Sequence, residues 1–170
     1  MRIVLLGDSH LARIERELPR LGSSVLNAAV GGATVLDLDG QARGASLTAD
    51  DVAVVSVGTN DGAPWNRVLV NDFRRTLTEF VMSRHVQAWV LVAPPGVDES
   101  RLGPDDRKNV VMSDYSGATA SVAKSVSARL IDSRALLQPL GSRAFKRDGV
   151  HLSGEGYRLL LPALADAVSF

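Results

Sequence analysis

Short apolar runs rich in β-branched residues recur along the 170-residue chain, and longer amphipathic segments separate them. This alternation is typical of βαβ units, in which helices cover both faces of a parallel sheet. The runs predict five buried strands, over residues 2–6, 24–29, 51–57, 86–93 and a short one near 129–132. The chain is therefore predicted to have an α/β fold.

Apolar residues at spacings of three and four predict the helices between these strands. The predicted helices cover residues 11–18, 66–84 and 108–128. A last helix is expected to begin after Ser153, a residue suited to an N-cap, and to run to Val168 with a bend at Pro162. Residues 37–49, 93–107 and 138–150 are interpreted as irregular connections.

Length and charge limit the classes of protein that the chain could represent. A chain of this length buries one core, and no linker or repeat divides it, so a single domain over residues 1–170 is expected. The 19 basic and 19 acidic side chains cancel, which argues against a nucleic-acid partner. Nothing in the sequence sets an oligomeric state.

The apolar runs and the cysteine count bear on location and chemistry. No run approaches the ~20 residues of a membrane span, and the apolar opening is too short for a signal peptide, so a cytoplasmic location is expected. The chain has no cysteine, which excludes a disulfide, a thiolate metal site and a cysteine nucleophile.

Glycines and reactive side chains cluster just after the predicted strands. The four segments are Gly7-Asp8-Ser9-His10, Val30-Gly31-Gly32, Gly58-Thr59-Asn60-Asp61 and Asp148-Gly149-Val150-His151. Open α/β sheets bind ligands in the crevice outside the carboxyl ends of their strands. The four segments are therefore predicted to converge on one site.

The residue types in these segments are those of acyl transfer. A serine needs a neighbouring base to take its proton, and an imidazole needs a partner that orients it and stabilises its charged form. Ser9, His151 and Asp148 can supply these three roles, and the last two are close enough in sequence to share one turn. The Asn60 amide and the backbone N–H groups of Gly32 and Ser9 can stabilise the developing oxyanion.

Elimination among the three histidines also favours His151 as the base. His85 lies between a predicted helix and a predicted strand, at the edge of the sheet opposite the crevice. His10 is adjacent to Ser9, and neighbouring side chains at such a turn usually diverge, so a place in the substrate pocket is the better expectation for it.

In the order of the chain, these four segments resemble the motif blocks of the SGNH hydrolase, or GDSL-like esterase, superfamily. The resemblance implies a flavodoxin-like three-layer α/β/α sandwich with a five-stranded parallel sheet in the order 2-1-3-4-5. It also implies hydrolysis of a small-molecule ester without a metal or other cofactor. The implied roles are Ser9 as nucleophile, His151 as base, Asp148 as its orienting acid, and Gly32 and Asn60 as oxyanion donors with the Ser9 amide.

Other residues near these blocks receive looser expectations. His10 departs from the superfamily, which commonly has an aliphatic residue there, and it could shape the substrate pocket. Gly31 is an alternative to Gly32 as the oxyanion donor. Asp8 and Asp61 are expected to brace the loops through backbone amides, and Trp65 to flank the substrate.

The expected function is serine-dependent hydrolysis of esters with short acyl groups, such as acetyl, through an acyl-enzyme. Two alternatives belong to other classes. A two-metal phosphoesterase could use Asp8, His10, Asn60 and Asp61, although few histidines are left for its second metal. A non-catalytic module on the same fold could bind a small ligand without turnover.

Overall fold

A computed structural model describes residues 1–66 and 68–169 of the chain. Within these residues, five strands form one parallel sheet in the order β2-β1-β3-β4-β5. The strands are β1 (Arg2–Gly7), β2 (Val25–Asn27), β3 (Asp51–Ser56), β4 (Ala88–Val92) and β5 (Arg129–Ile131). The predicted fold class and strand order are confirmed.

Six α-helices surround this sheet in the described part of the chain. They are α1 (Ser9–Ala12), α2 (Leu38–Gly44), α3 (Val70–Met82), α4 (Asn109–Ser125), α5 (Ser133–Leu137) and α6 (Gly154–Val168). Short 3-10 helices cover Glu15–Arg20, Val35–Asp37, Glu99–Arg101 and Gln138–Ala144. Among residues 1–66 and 68–169, no helix has the length and apolarity needed to cross a membrane.

The helices form two layers, one on each face of the sheet. Successive residues of a strand point to opposite faces, so Leu5 and Leu6 of β1 belong to different apolar clusters. The cluster of Leu6 includes residues of α2, α3 and α4, and the cluster of Leu5 includes residues of α1, α5 and α6. The central strands are apolar along their whole length because helices cover both faces of the sheet.

The predicted helix over residues 11–18 is wrong. Helix α1 ends at Ala12, and the chain continues as the 3-10 helix Glu15–Arg20. Pro19 explains part of the difference, because its ring would clash with the carbonyl of Glu15 in a continued α-helix.

Two further differences concern helices α2 and α3. Helix α3 begins at Val70 because Leu69 is extended, and Arg67, which the predicted helix included, lies outside the described residues. Helix α2 occupies part of the segment that was interpreted as irregular. Its glycines weaken the local signal, and the burial of Leu38, Gln41 and Ala42 selects the helix instead.

The last helix begins as predicted. The Ser153 hydroxyl accepts a hydrogen bond from the Gly156 N–H at 3.2 Å, and α6 continues past Pro162 to Val168. Helix α5 was not predicted from the sequence. Its N-cap is Asp132, whose carboxylate accepts a hydrogen bond from the Ala135 N–H at 3.0 Å.

A partly buried ion pair joins the amino-terminal ends of β1 and β3. Arg2 donates two hydrogen bonds to the carboxylate of Asp51, at 2.9 and 2.7 Å, and Thr48 donates two more. The hydrogen bond from Arg2 lowers the pKa of Asp51 to about 2, against the opposing effect of burial. The carboxylate therefore stabilises the fold most when it is ionised.

We expect Asp51→Asn to lower the free energy of unfolding by about 1–2 kcal/mol at neutral pH, since solvent screens part of the Arg2 interaction. The folded pKa of Asp51 is depressed, so this contribution is present above its ordinary value of 3.8 and is lost as the pH falls toward 2. Urea unfolding of both proteins across this range tests the prediction.

Asp72→Asn is the matched control, because Asp72 pairs with Arg75 on an exposed helix surface. The assignment of this stability to ionised Asp51 would be contradicted in two cases. In one, the difference in unfolding free energy between wild type and Asp51→Asn stays constant across the pH range; in the other, it equals the difference measured for Asp72→Asn.

Candidate active site

Ser9 lies on a sharp turn between β1 and α1. Gly7 ends the strand with φ 130°, and a Cβ atom at this position would lie 1.9 Å from the Ser56 carbonyl oxygen. The Asp8 N–H donates to that oxygen at 2.9 Å, and the Asp8 carboxylate caps α1 by accepting from the His10 N–H at 3.0 Å. Ser9 is thereby the first residue of α1.

The Ser9 hydroxyl has no hydrogen-bond partner among residues 1–66 and 68–169. The residue is 8% exposed, and its oxygen is not one of the fully buried atoms that lack a partner. A hydroxyl in this state can turn toward a base when a substrate arrives, since catalytic hydrogen bonds often tighten only in the complex.

Asp148 and His151 form a pair on the loop before α6. The Asp148 carboxylate accepts from His151 Nδ1 at 2.8 Å, and it also accepts from the N–H groups of His151 and Val150 at 2.9 and 3.0 Å. Burial alone would raise the pKa of Asp148, but these hydrogen bonds outweigh it and lower the pKa to about 2. The pairing places the proton of a neutral His151 on Nδ1 and leaves Nε2 to accept a proton.

The segment 93–107 braces this loop from one side. The Asp98 N–H donates to the Gly149 carbonyl at 2.7 Å, and Arg101 donates to the carbonyls of Phe145 and Lys146. Gly149 has φ 72°, and a Cβ there would lie 2.8 Å from the Asp98 carbonyl oxygen. The loop can pack this closely because residue 149 is glycine.

Asn60 lies after β3 with its amide fixed at both atoms. Its Nδ2 donates to the Ala33 carbonyl at 2.9 Å, and its Oδ1 accepts from Arg107 Nη2 at 3.2 Å. An amide nitrogen carries two hydrogens, so one N–H of Asn60 is left for another acceptor. This geometry suits an oxyanion donor.

Gly31 and Gly32, which follow β2, lie beside Ser9 and Asn60. A Cβ on Gly31 would lie 3.9 Å from the Ser9 Cβ, and Gly32, with φ 84°, immediately precedes Ala33. The backbone of this turn therefore runs between Ser9 and Asn60. Both glycines stay candidates for the oxyanion donor.

Two buried side chains brace the loops of Ser9 and Asn60 through backbone groups. Asp61 accepts from the N–H groups of Val35 and Gly58, each at 2.8 Å, and burial raises its pKa to about 6. Gln41 accepts from the Gly7 N–H at 2.6 Å and donates to the Gly7 carbonyl at 2.9 Å. Asp61 has the bracing contacts expected from the sequence, whereas Gln41 was missed because its segment was interpreted as irregular.

Arg107 is a second residue that sequence reasoning missed. Its guanidinium is buried and donates to the Thr59 carbonyl at 2.9 Å and to the Asn60 amide oxygen. It also lies over the Trp65 ring, 4.8 Å from the ring centre, while Trp65 itself is 58% exposed. Trp65 therefore lies at an exposed edge next to the Asn60 loop, and its place beside a substrate stays a prediction.

His10 has a different environment from the pocket position expected for it. It is 2% exposed, with Nδ1 3.2 Å from the Asp8 carboxylate and Nε2 3.2 Å from the Val150 carbonyl. The expectation that its side chain diverges from Ser9 agrees with these contacts, but the ring does not line an open pocket. His85 is exposed between α3 and β4.

Among the described residues, the His, Asp and Glu side chains of the site do not form a metal-binding group. In the described part of the chain, no three His, Asp or Glu side chains lie close enough together to hold a metal ion.

Comparison with known families assigns the chain to one of them. The model of the GDSL-like lipase/acylhydrolase family matches residues 6–159, which include all four loops of the site. The chain belongs to this family, and it is a carboxylic ester hydrolase. No curated protein sequence matches the chain.

Solved structures share the fold at low sequence identity. A lipase/acylhydrolase from Enterococcus faecalis superposes with a TM-score of 0.81 at 21% identity, over 98% of this chain and 94% of that one. An acetylxylan esterase from Geobacillus stearothermophilus has a TM-score of 0.76 at 20% identity, over 99% and 94%. Variants of that esterase described as catalytic mutants replace a serine, an aspartate or a histidine by alanine.

We expect Arg107→Met to lower kcat for ester hydrolysis by about 10- to 100-fold, because the Asn60 amide would lose the contact that fixes its orientation. KM should change less than kcat, since the variant keeps Trp65 at the exposed edge of the site. Initial rates over a range of ester concentrations separate the two constants.

Trp65→Ala is the matched control, because it removes the ring under the guanidinium and leaves the hydrogen bond to Asn60. Equal losses of kcat in the two variants would show that the stacking contact, rather than the Asn60 contact, is the one that matters.

Proposed function

We propose that the protein is a serine esterase with Ser9 as nucleophile, His151 as general base and Asp148 as the residue that orients His151. The observation that carries this proposal is the 2.8 Å hydrogen bond from His151 to Asp148, on a loop that contacts the residue next to Ser9. The catalytic mutants of the Geobacillus esterase, at a serine, an aspartate and a histidine, support the same three residue types.

In the proposed first step, the Ser9 oxygen bonds to the ester carbonyl carbon while its proton moves to His151 Nε2. The carbonyl π pair becomes an oxyanion, which then re-forms the C=O bond as the carbon–oxygen bond to the alcohol breaks. His151 returns the proton to the departing alkoxide. Water repeats the sequence on the acyl-enzyme and releases the acid and free Ser9.

Asn60 and the backbone N–H groups of Ser9 and Gly32 are proposed to stabilise the oxyanion, with Gly31 as the alternative to Gly32. One N–H of the Asn60 amide is free for this role. The other N–H donates to the Ala33 carbonyl, and the amide oxygen accepts from Arg107, so the orientation of the amide is fixed. Donors that are fixed before the reaction stabilise developing charge without a cost of reorganisation.

We infer that the acyl group is short, such as acetyl. Trp65 is exposed and the Asp148 side chain is 47% exposed, so the site opens to solvent along the base loop. The similarity to an acetylxylan esterase supports an acetyl group as the first candidate.

The two-metal phosphoesterase alternative is not favoured by the environment of His10. Both ring nitrogens of His10 contact acceptors of the chain, so neither is available as a metal ligand. The binding-module alternative is overturned by the family match, which makes the chain an ester hydrolase.

We expect wild type to hydrolyse p-nitrophenyl acetate in the presence of EDTA, with rates that fall from acetate to butyrate to octanoate. Ser9→Ala should lose at least about 1000-fold in kcat, because the acyl-enzyme can no longer form. Circular dichroism establishes that both proteins are folded. Equal rates for wild type and Ser9→Ala would refute the serine mechanism, and inhibition by EDTA would favour a metal enzyme.

We expect Asn60→Ala to lower kcat by about 100- to 1000-fold, the usual effect of removing one oxyanion donor. Asn71→Ala, which removes an exposed amide on α3, is the matched control and should behave as wild type. Turnover by Asn60→Ala at the wild-type rate would exclude Asn60 from the oxyanion site.

A further inference from the structure

His10 joins the two loops that carry the proposed nucleophile and base. Its Nδ1 faces the Asp8 carboxylate and its Nε2 faces the Val150 carbonyl, each at 3.2 Å. Asp8 precedes Ser9 in the chain, and Val150 precedes His151. One side chain therefore spans segments 140 residues apart in sequence, directly beside the two residues that must exchange a proton.

The partners of His10 define its protonation. A carboxylate and a backbone carbonyl are both acceptors, so the ring can make both hydrogen bonds only when each nitrogen carries a hydrogen. A neutral imidazole has one N–H, and it would turn a lone pair toward one of the two acceptors. The contacts therefore fit an imidazolium ion paired with Asp8.

The charged groups around the ring favour this form on balance. Burial and the charge of Arg107 lower the pKa of His10, whereas the charge of Asp8 and the hydrogen bonds to Asp8 and Val150 raise it, with a net increase. The ring centre of His151 is 6.5 Å away, and the Tyr157 hydroxyl donates to the His10 carbonyl at 3.0 Å.

We propose that His10 is a positioning residue, a buried imidazolium that fixes the base loop against the nucleophile turn and so sets the approach of Ser9 to His151. This proposal rests on the proposed serine mechanism. The Val150 N–H also donates to Asp148, so the bond from His10 acts on the same short turn that orients the base. A displaced turn would leave both catalytic residues intact but poorly aligned.

Two amide variants separate the contacts of His10. The amide nitrogen of Gln in His10→Gln can reach the position of Nε2 and keep a donor for Val150. The shorter side chain in His10→Asn can reach only the position of Nδ1, and it keeps a donor for Asp8 alone. Both variants remove the charge, so the difference between them reports the contact with the base loop.

We expect His10→Asn to lose about 10-fold or more in kcat with KM near the wild-type value, and His10→Gln to recover most of that loss. Both are assayed well below their unfolding temperatures. Any loss of packing should be greater for the shorter Asn, and urea unfolding of both variants measures it. Equal kcat values in His10→Asn and His10→Gln would overturn the proposal.

Nitrogen NMR of ¹⁵N-histidine-labelled protein at neutral pH tests the protonation directly. The expected result is a His10 ring with a hydrogen on both nitrogens, assigned by its absence in His10→Gln. A ring with a single N–H would overturn the proposed two-donor contact. The same spectrum of Ser9→Ala gives this answer whether or not the protein turns over an ester.

Labelling of Ser9 with a fluorophosphonate distinguishes failure of this proposal from failure of the serine mechanism. If wild type is not labelled and Ser9→Ala is as active as wild type, the serine mechanism fails. If wild type is labelled and His10→Asn reacts at the same rate, the serine mechanism stands and the positioning role of His10 is refuted.

Discussion

The close contact between Gly7 and β3 is the constraint on which the site depends. Gly7 pairs with Ser56 in the parallel register, and a side chain at position 7 would overlap the Ser56 carbonyl. This contact brings the end of β1 against the end of β3, so the turn that carries Ser9 and the loop that carries Asn60 begin side by side. A parallel sheet supplies this proximity for every loop at its carboxyl edge.

The loops at this edge are held chiefly by side chains that bond to backbone groups. Gln41 bonds to both backbone groups of Gly7, Asp61 to two N–H groups, and Arg107 to the Thr59 carbonyl. Burying these polar groups has a cost, which their hydrogen bonds offset. The result is a set of loops whose geometry exists before a substrate binds, as electrostatic stabilisation of an oxyanion requires.

Family membership and structural similarity define different parts of the functional assignment. The family match establishes an ester hydrolase, whereas the solved structures, at 20–21% identity, establish the fold. The roles proposed for Ser9, His151 and Asn60 rest on the geometry of this chain. The acyl group proposed for the substrate rests on the exposed edge of the site, where Trp65 lies.

The sequence by itself determined the sheet, its flanking long helices and the residue types of the site. These follow from signals contained in short segments: apolar periodicity, the Ser153 cap, and the four polar segments that follow strands. Short helices such as α2 escaped prediction because burial, rather than propensity, selects them.

Only the tertiary structure decided how the site is braced. The contacts of Gln41 with Gly7, of Arg107 with Asn60 and of His10 with Val150 join residues 34, 47 and 140 positions apart. No local pattern encodes such partners, because each depends on where the packed layers bring distant loops together. His10 shows this most clearly: its sequence position suggested a pocket residue, and its neighbours in space make it a buried contact between two loops.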